Sequence, residues 1–548
     1  MMRAAPFALL VLCAAILFSG YETLGVVDER EARDAAIGHE LIERREVLTP
    51  VLGGEPVFEK PMVAYATEAL GAALTWRSPF GSRLLRGAYA VALVLLTASV
   101  AARHFGPRAG WCSAFVLVTT FGLPLAVRTD GTQVLATLLA WAGVQGFSDS
   151  LFGRRAGLDF RLVVGWGALA AAFVVGGPLP ALWPVAALAL YARLARDGEA
   201  WRRVHPIAGL GLVAGVALPW YGAMFERHGA TFLGHAAFFP YAGAAHAAWY
   251  AGPVRSLASL VVGAFPWSTL LPGAALHAAI WWRGARRARL EGDRRPAPPD
   301  PAALERGRRE ESAAHFFVAC MAAALIPVAL YPVPPLPAVL PALPAVAILC
   351  GRLLDLILED ESRDGGHVAW AARMLAVVGT AGAILLSLIA TRVHGPAAPE
   401  LRALAAIVLV ASCAPFLAGF IGRRRIAAFL IAAPVALGAP WVGARLLPAM
   451  EDYLNARAAA TAMESVAPPL AALIVDGDAP PSLRFYSRRN LVERWPLDRA
   501  LESFRAADGL AYVVFRPANE RRVARAARGP LEIVLRSPSL VLARVHPG

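Results

Sequence analysis

The chain has 548 residues, 57% of them hydrophobic and 17% charged, with a formal net charge of +13 at pH 7. Ordinary soluble domains carry about 25% charged residues, whereas apolar runs near the roughly 20 residues that cross a bilayer recur here along most of the length. Composition therefore excludes a soluble globular protein, and the arginine excess of a polytopic membrane protein reports orientation and anionic headgroups rather than nucleic acid. The five cysteines (Cys13, Cys112, Cys320, Cys350 and Cys413) all fall in apolar segments and read as small buried hydrophobes, not as a disulfide frame or metal cluster.

Thirteen membrane segments are predicted. The first, about 4–21, follows Arg3 and lacks an obvious small-x-small cleavage site, so it reads as an uncleaved helix. A long polar stretch, 22–82, follows. The other twelve lie near 84–102, 109–127, 131–149, 162–177, 179–195, 206–224, 253–281, 314–331, 334–351, 371–391, 403–422 and 426–447. The fold class is an all-α polytopic membrane domain, 1–449, followed by a small α/β domain, 450–548. In the latter, strand-like runs at 471–475, 510–515 and 531–535 alternate with helix-like runs at 497–507 and 520–527. Asp476-Gly477-Asp478 after the first strand reads as a strand-ending turn.

Arginine sets the orientation. With the N-terminus in the cytoplasm, the inside loops hold Arg103 and Arg108; Arg154, Arg155 and Arg161; Arg193, Arg196, Arg202 and Arg203; nine arginines from Arg283 to Arg309; Arg352, Arg363 and Arg373; and Arg423 to Arg425. The short outside loops hold only Arg128, Arg227, Arg392 and Arg402. This is the positive-inside pattern, and it places loop 22–82 and the C-terminal domain outward. The basic linker 283–312 reads as a solvated inside connection.

The first loop carries two amphipathic runs. From Glu29 to Arg45, Ala32, Ala36, Ile37, Leu41 and Ile42 recur at helical spacing with charges between them, which suits a helix lying at the membrane surface. Met62 to Trp76 predicts a second surface helix, with Pro61 well placed at its first position. Lys60, immediately before, is the only lysine in the chain. A chain that uses arginine for every other cation keeps one compact ammonium here, at a helix start whose free N–H groups favour a bound anion, phosphate above all.

Other ionisable residues gather at the same outward boundary: Asp28, Glu29 and Glu31 after the first helix, Glu59 beside Lys60, Arg128-Thr129-Asp130 in a very short loop, and His246 with Trp249 and Tyr250. Carboxylates at a bilayer edge are costly unless paired or coordinated, which makes them functional candidates. Read as residues, they leave alternatives open. Asp28 suits a general base or a metal ligand. Asp130 suits ordering of Arg128 or a place in a metal site. His246 suits a ligand, a phosphate donor or an interfacial histidine. Trp249, Tyr250 and Trp267 suit the interfacial aromatic belt more readily than a substrate pocket.

With these residues in view, the sequence resembles the C-type superfamily of polytopic glycosyltransferases. Within it, the chain is most similar to the bacterial lipid A aminoarabinose transferases and the dolichyl-phosphate-mannose-dependent protein mannosyltransferases. The resemblance rests on Asp28-Glu29 with Arg33, Leu48-Thr49-Pro50, Gly54 to Pro61, Arg128-Thr129-Asp130, the His246…Trp249-Tyr250 loop, Phe265-Pro266-Trp267-Ser268 and Asp478 to Tyr486, in the family's order. It departs at Pro335-Leu336-Pro337-Ala338-Val339, which lacks the family's lysine and tyrosine, and at Ala247, where an arginine often follows the histidine.

The resemblance implies an inverting glycosyltransferase that moves a sugar from a polyprenyl phosphate to an outward-facing glycolipid, glycan or protein. Its setting would be a bacterial inner membrane, with the C-terminal domain periplasmic. It implies a catalytic carboxylate in the first loop, carried onto Asp28, with Glu29 or Glu31 as alternatives because the stretch from Asp28 to Thr49 is about two residues longer than in the family, and Asp130 as a further catalytic carboxylate. Lys60, Glu59, Arg128, His246, Trp249 and Tyr250 would bind substrate, and in some members a divalent metal would sit near Glu59 and His246. A lipid or polysaccharide transporter is the rival reading; transporters place their charges near the bilayer midplane, whereas here the charges gather at one face.

Overall fold

The computed structural model describes residues 5–27, 30–45, 48–74, 79–153, 159–238, 251–276, 301–330, 336–359, 361–468, 471, 473–487, 491–492, 496–506, 511–527 and 531–545. Helix falls on every one of the thirteen predicted segments. Eight helices among the described residues are long and apolar enough to cross a membrane, or nine with one bent pair taken as a single span. The chain is a multi-pass membrane protein.

The bundle begins with α1 (Ala5–Leu17) and continues, after the first loop, with α4 (Pro79–Phe105), α5 (Pro107–Val118), α6 (Gly122–Thr129) and α7 (Gly131–Phe152). Segment 109–127, predicted as one helix, is the bent pair α5 and α6, which meet at 55°. The break has a local cause. The hydroxyls of Thr119 and Thr120 donate back to the carbonyls of Phe115 (2.6 Å) and Leu117 (2.7 Å), and the Phe121 N–H leaves the helix ladder to donate to the Phe265 carbonyl at 2.7 Å. Trp267 lies here rather than in an interfacial belt. It is fully buried and donates its indole N–H to the Thr119 hydroxyl at 2.9 Å.

The first loop folds as two helices and a hairpin. These are α2 (Arg30–Arg44), the strands β1 (Val51–Leu52) and β2 (Glu55–Pro56), and α3 (Met62–Leu74). The hairpin turns on Gly53 and Gly54, both at positive φ (62° and 86°), and their N–H groups donate to the Glu40 carboxylate. Ile37, Leu41, Val57 and Tyr65 form the small core between α2 and α3.

Glu31 and Asp34 are buried on the inner face of α2, at 2% and 4% exposure. The reason is countercharge from α4. Arg83 donates to both Glu31 oxygens (2.8 and 2.9 Å), and Arg86 bridges Glu31 (3.0 Å) to Glu68 of α3 (2.7 and 3.0 Å). This fully buried network docks the surface helices onto the bundle. At the other end of α4, Arg103 pairs with Asp149, and nearby Arg108 pairs with Asp355, so ion pairs among the described residues lie at both ends of this helix.

The last hundred residues form the expected α/β unit. Its sheet has the order β4-β3-β5-β7-β6, built from β3 (Leu473–Val475), β4 (Leu491–Val492), β5 (Ala511–Phe515), β6 (Leu531–Arg536) and β7 (Val541–Val545). The pairs of β3 with β4 and β5 are parallel; β7 runs antiparallel to β5 and β6. The short edge strand β4 and the interior strand β7 were not anticipated. Asp476 takes its expected turn role, accepting from Asn519 (2.9 Å) and Arg522, with Gly477 at φ 101°.

Removing the charge of Glu31 leaves Arg83 and Arg86 buried without their shared counterion, a change that typically costs about 3–5 kcal/mol. Glu31→Gln should therefore lower the thermal unfolding midpoint of the purified protein strongly. An unchanged midpoint would show that the network is not what docks the loop.

Candidate functional site

Three elements converge on Lys60. Its ammonium donates to Asp34 Oδ2 of α2 at 2.7 Å, to Asp130 Oδ1 at 3.4 Å and to the Thr132 hydroxyl of α7 at 3.4 Å. Asp130 caps α7, accepting the Gln133 N–H at 3.1 Å, and takes Arg30 on its other oxygen at 3.0 Å. One residue back, Glu59 pairs with Arg33 of α2. The helix start predicted at Pro61 is found at Met62, with the Ala64 N–H donating to the Pro61 carbonyl at 3.0 Å.

The electrostatics follow from this packing. Burial works to lower the Lys60 pKa, but Asp130 and Asp34 outweigh it and hold the ammonium protonated well above its ordinary range. Burial pushes the Asp34 carboxyl up, and Asp130 adds to that, so that against the opposing pull of Lys60 it titrates at about 6. Burial also acts on Glu31, but Arg83 and Arg86 hold it below the usual carboxylate range, which leaves it an anion committed to structure.

A cleft of about 680 Å³ opens beside this cluster, lined by Arg33, Phe58, Glu59, Arg227, His228 and Thr231 among others. The helix Pro206–Phe238 supplies its far wall and breaks at Gly229, whose φ is 60°. His228 Nε2 lies 3.0 Å from the Thr49 hydroxyl and the Phe58 ring packs on the imidazole at 5.0 Å, while the Trp220 indole donates to the Leu48 carbonyl at 3.2 Å. The Leu48-Thr49-Pro50 and Phe58-Glu59-Lys60 motifs thus dock on one helix.

Of the predicted site residues, the structure brings together Lys60, Glu59 and Asp130. Asp130 does not order Arg128, as one reading expected; it faces Lys60 and Arg30. Arg128 instead donates to the carbonyls of Ile16 (3.3 Å), Pro124 (3.2 Å) and Ser19 (3.2 Å) and to the Ser19 hydroxyl (2.9 Å), pinning α6 to the end of α1. Asp28, Glu29, His246, Trp249 and Tyr250 lie outside the described residues. Among the described residues no three His, Cys, Asp or Glu side chains come together as metal ligands. Sequence reasoning missed Asp34 and His228. Asp34 follows Glu31 by one helical turn on the face that also carries Gly38 and Leu41, a spacing that could have revealed it. His228 sits in Glu226-Arg227-His228, a polar run closing an apolar segment.

Fold and site together define a multi-pass membrane protein with a buried lysine–carboxylate cluster beside a cleft at one end of its bundle. Over its whole length the chain shares the fold of ArnT from Cupriavidus metallidurans. The apo structure superposes with a TM-score of 0.73 at 18% identity, covering 100% of this chain and 98% of that one. The form bound to undecaprenyl phosphate gives 0.74 at 18% identity, covering 99% and 97%. In sequence, the chain is 29% identical over 273 residues to the undecaprenyl phosphate-alpha-4-amino-4-deoxy-L-arabinose arabinosyl transferase of Pseudomonas aeruginosa strain UCBPP-PA14, a match spanning 47% of each protein. The chain thus spans about half the length of the curated relatives it matches. No protein-family model matches it.

Above about pH 6 Asp34 is an anion that competes with any other anion for Lys60; below it the competition ends. A phosphodiester lipid, which keeps its charge through this range, should bind more tightly at about pH 5 than at about pH 7. Asp34→Asn should bind it at the higher pH as wild type does at the lower. Titration calorimetry in detergent checks this, and a pH-independent wild-type affinity would contradict it.

Proposed function

We propose that the protein is an inverting glycosyltransferase that moves a sugar from a polyprenyl-phosphate donor to an acceptor at the outward face of a bacterial inner membrane. The observation that carries this reading is Lys60, a half-buried ammonium held between two buried carboxylates at the bundle end, beside an open cleft. The whole-length likeness to a fold solved with undecaprenyl phosphate supports it, as does the sequence match to an arabinosyl transferase named for such a donor. The charged groups of this cluster gather at one end of the bundle rather than at its middle, which favours an enzyme over a transporter.

In the reaction, an acceptor hydroxyl or phosphate oxygen attacks the anomeric carbon. The bond from that carbon to the phosphate oxygen breaks, the configuration inverts, and the lipid phosphate departs with the bonding pair. Asp28, assisted by Glu29, takes or orients the acceptor proton. Lys60 receives the phosphate, giving up part of its contact with Asp34 and Asp130 to a new anion; Asp130 keeps the ammonium in place throughout. A preorganised cation at a partly dry site is the electrostatic stabilisation that such a leaving group requires. The cleft, with Arg33, Arg227 and His228 in its wall, suits a polar acceptor such as a lipid A-like glycolipid, another envelope glycan or a protein side chain. The divalent metal implied for some relatives would draw on Glu59 and His246. Glu59 is already taken by Arg33, so metal-independent transfer in the presence of a chelator is the expected result.

Lys60→Ala should lower transfer from a polyprenyl-phosphate sugar by about 10²–10³-fold, the usual loss for one donor to a developing oxyanion. Lys60→Arg should not restore it, because a guanidinium fork suits the carboxylates of Asp34 and Asp130 and would stay committed to them, where a compact ammonium can turn to a new anion. Full turnover in Lys60→Ala, measured with labelled donor in proteoliposomes, would exclude the phosphate role. For orientation, reporter fusions at residue 548 should be active only outside the cytoplasm; a cytoplasmic signal would invert the topology.

A further inference from the structure

The three residues that precede the Asp28-Glu29 pair are fixed by almost every polar backbone atom they own. The carbonyls of Leu24 and Gly25 accept from Arg83, the latter at 2.7 Å. The Val27 N–H donates to Glu31 at 2.9 Å, and the Val27 carbonyl accepts from the Ala32 N–H at 3.0 Å. The two remaining N–H groups are satisfied from more than 400 positions away in sequence. Gly25 donates to Glu451 Oε1 at 3.1 Å, and Val26 donates to the Tyr486 hydroxyl at 2.7 Å.

Glu451 opens the connection that follows the last membrane helix, and Tyr486 ends the short helix Pro481–Tyr486 of the C-terminal domain. The contact is a fitted one. Gly25 is buried, and a Cβ there would lie 2.7 Å from Glu451 Oε1, 2.7 Å from the Tyr486 hydroxyl and 2.9 Å from Asn455 Nδ2, so a larger residue would have to push these side-chain ends aside. Around it, Phe485 and Tyr486 pack on Val26, Ala32 and Ala35 of the first loop, and Phe485 meets His39 edge-on at 6.5 Å. A tether needs none of this. Buried backbone N–H groups must find acceptors, and here two of them find side chains of the C-terminal region, directly before the carboxylate pair.

We propose that the C-terminal domain is a positioning element of the active site. Through Glu451 and Tyr486 it holds the backbone of residues 25–27, and turnover by the carboxylate pair that follows in sequence depends on that hold. This rests on the glycosyltransferase reading above. Neither residue touches substrate; both act through the loop. The consequence is a separation of roles in one short segment, with Arg83 and Glu31 holding it to the membrane bundle and Glu451 and Tyr486 holding it to the outward domain.

The test uses the full-length protein in nanodiscs, with hydrogen–deuterium exchange and steady-state transfer measured on the same samples. Tyr486→Phe keeps the ring in its apolar cluster but removes the acceptor. It should speed exchange across 24–27 and lower kcat roughly five- to tenfold, the rate equivalent of one lost hydrogen bond, with KM for the lipid donor unchanged. Glu451→Ala should do the same, and Glu451→Gln, which retains a side-chain carbonyl, should restore both. Tyr512→Phe, which loses a hydrogen bond to the Val466 carbonyl inside the same domain, should change neither. Wild-type kcat in Tyr486→Phe, or a loss confined to KM, would overturn the proposal. If the wild type transferred no sugar, the glycosyltransferase reading would fall and the exchange arm alone would decide the latch, with wild-type protection in Tyr486→Phe overturning it.

Discussion

A half-buried ammonium held between two buried carboxylates dictates the arrangement of this end of the molecule. Lys60 is only partly reached by water, so it needs countercharge from side chains. One comes from α2, as Asp34, and one from the cap of α7, as Asp130. That demand forces α2 to turn a charged face inward. The same face then presents Glu31 to α4, which answers with Arg83 and Arg86. The loop helices, the hairpin and the bundle are consequently joined by charge as much as by apolar packing. Such a network is strongly destabilising to break yet weakly stabilising to possess, which fits a role in fixing geometry.

The bend between α5 and α6 serves the same end. By turning at Thr119–Phe121, the chain brings Asp130 to Lys60 while Arg128 is spent on the carbonyls that end α1. Arg-Thr-Asp therefore splits its tasks. The arginine holds a helix in place and the aspartate holds the lysine. Asp34, with its carboxyl raised to about 6 by burial, is the weaker anion of the pair, whereas Asp130, also held by Arg30 and the Gln133 N–H, is the firmer of the two.

Much of this was legible in the sequence, for identifiable reasons. Apolar runs and arginine spacing located the helices, because bilayer thickness and loop charge act on local sequence. The solitary Lys60, followed by Pro61, marked the site, because a lone residue type at a helix start is visible without any fold. The partners were harder. Asp34 looked like one more charge on a surface helix, and only its burial against Lys60 shows otherwise. His228 lay beyond the end of an apolar segment and gains meaning from Thr49 and Phe58, which are distant in sequence. The link from Tyr486 to Val26 spans 460 positions, and no local pattern announces it. The α5–α6 bend depends on Thr119 and Thr120 bonding backward, a choice that apolar periodicity does not register.

The central claim is that Lys60 receives a lipid phosphate. The most direct measurement is native mass spectrometry of the full-length protein with undecaprenyl phosphate, comparing wild type with Lys60→Ala and with the remote charge variant Arg103→Ala. The account predicts a bound lipid on wild type and Arg103→Ala that is lost from Lys60→Ala. Equal occupancy in all three would contradict it.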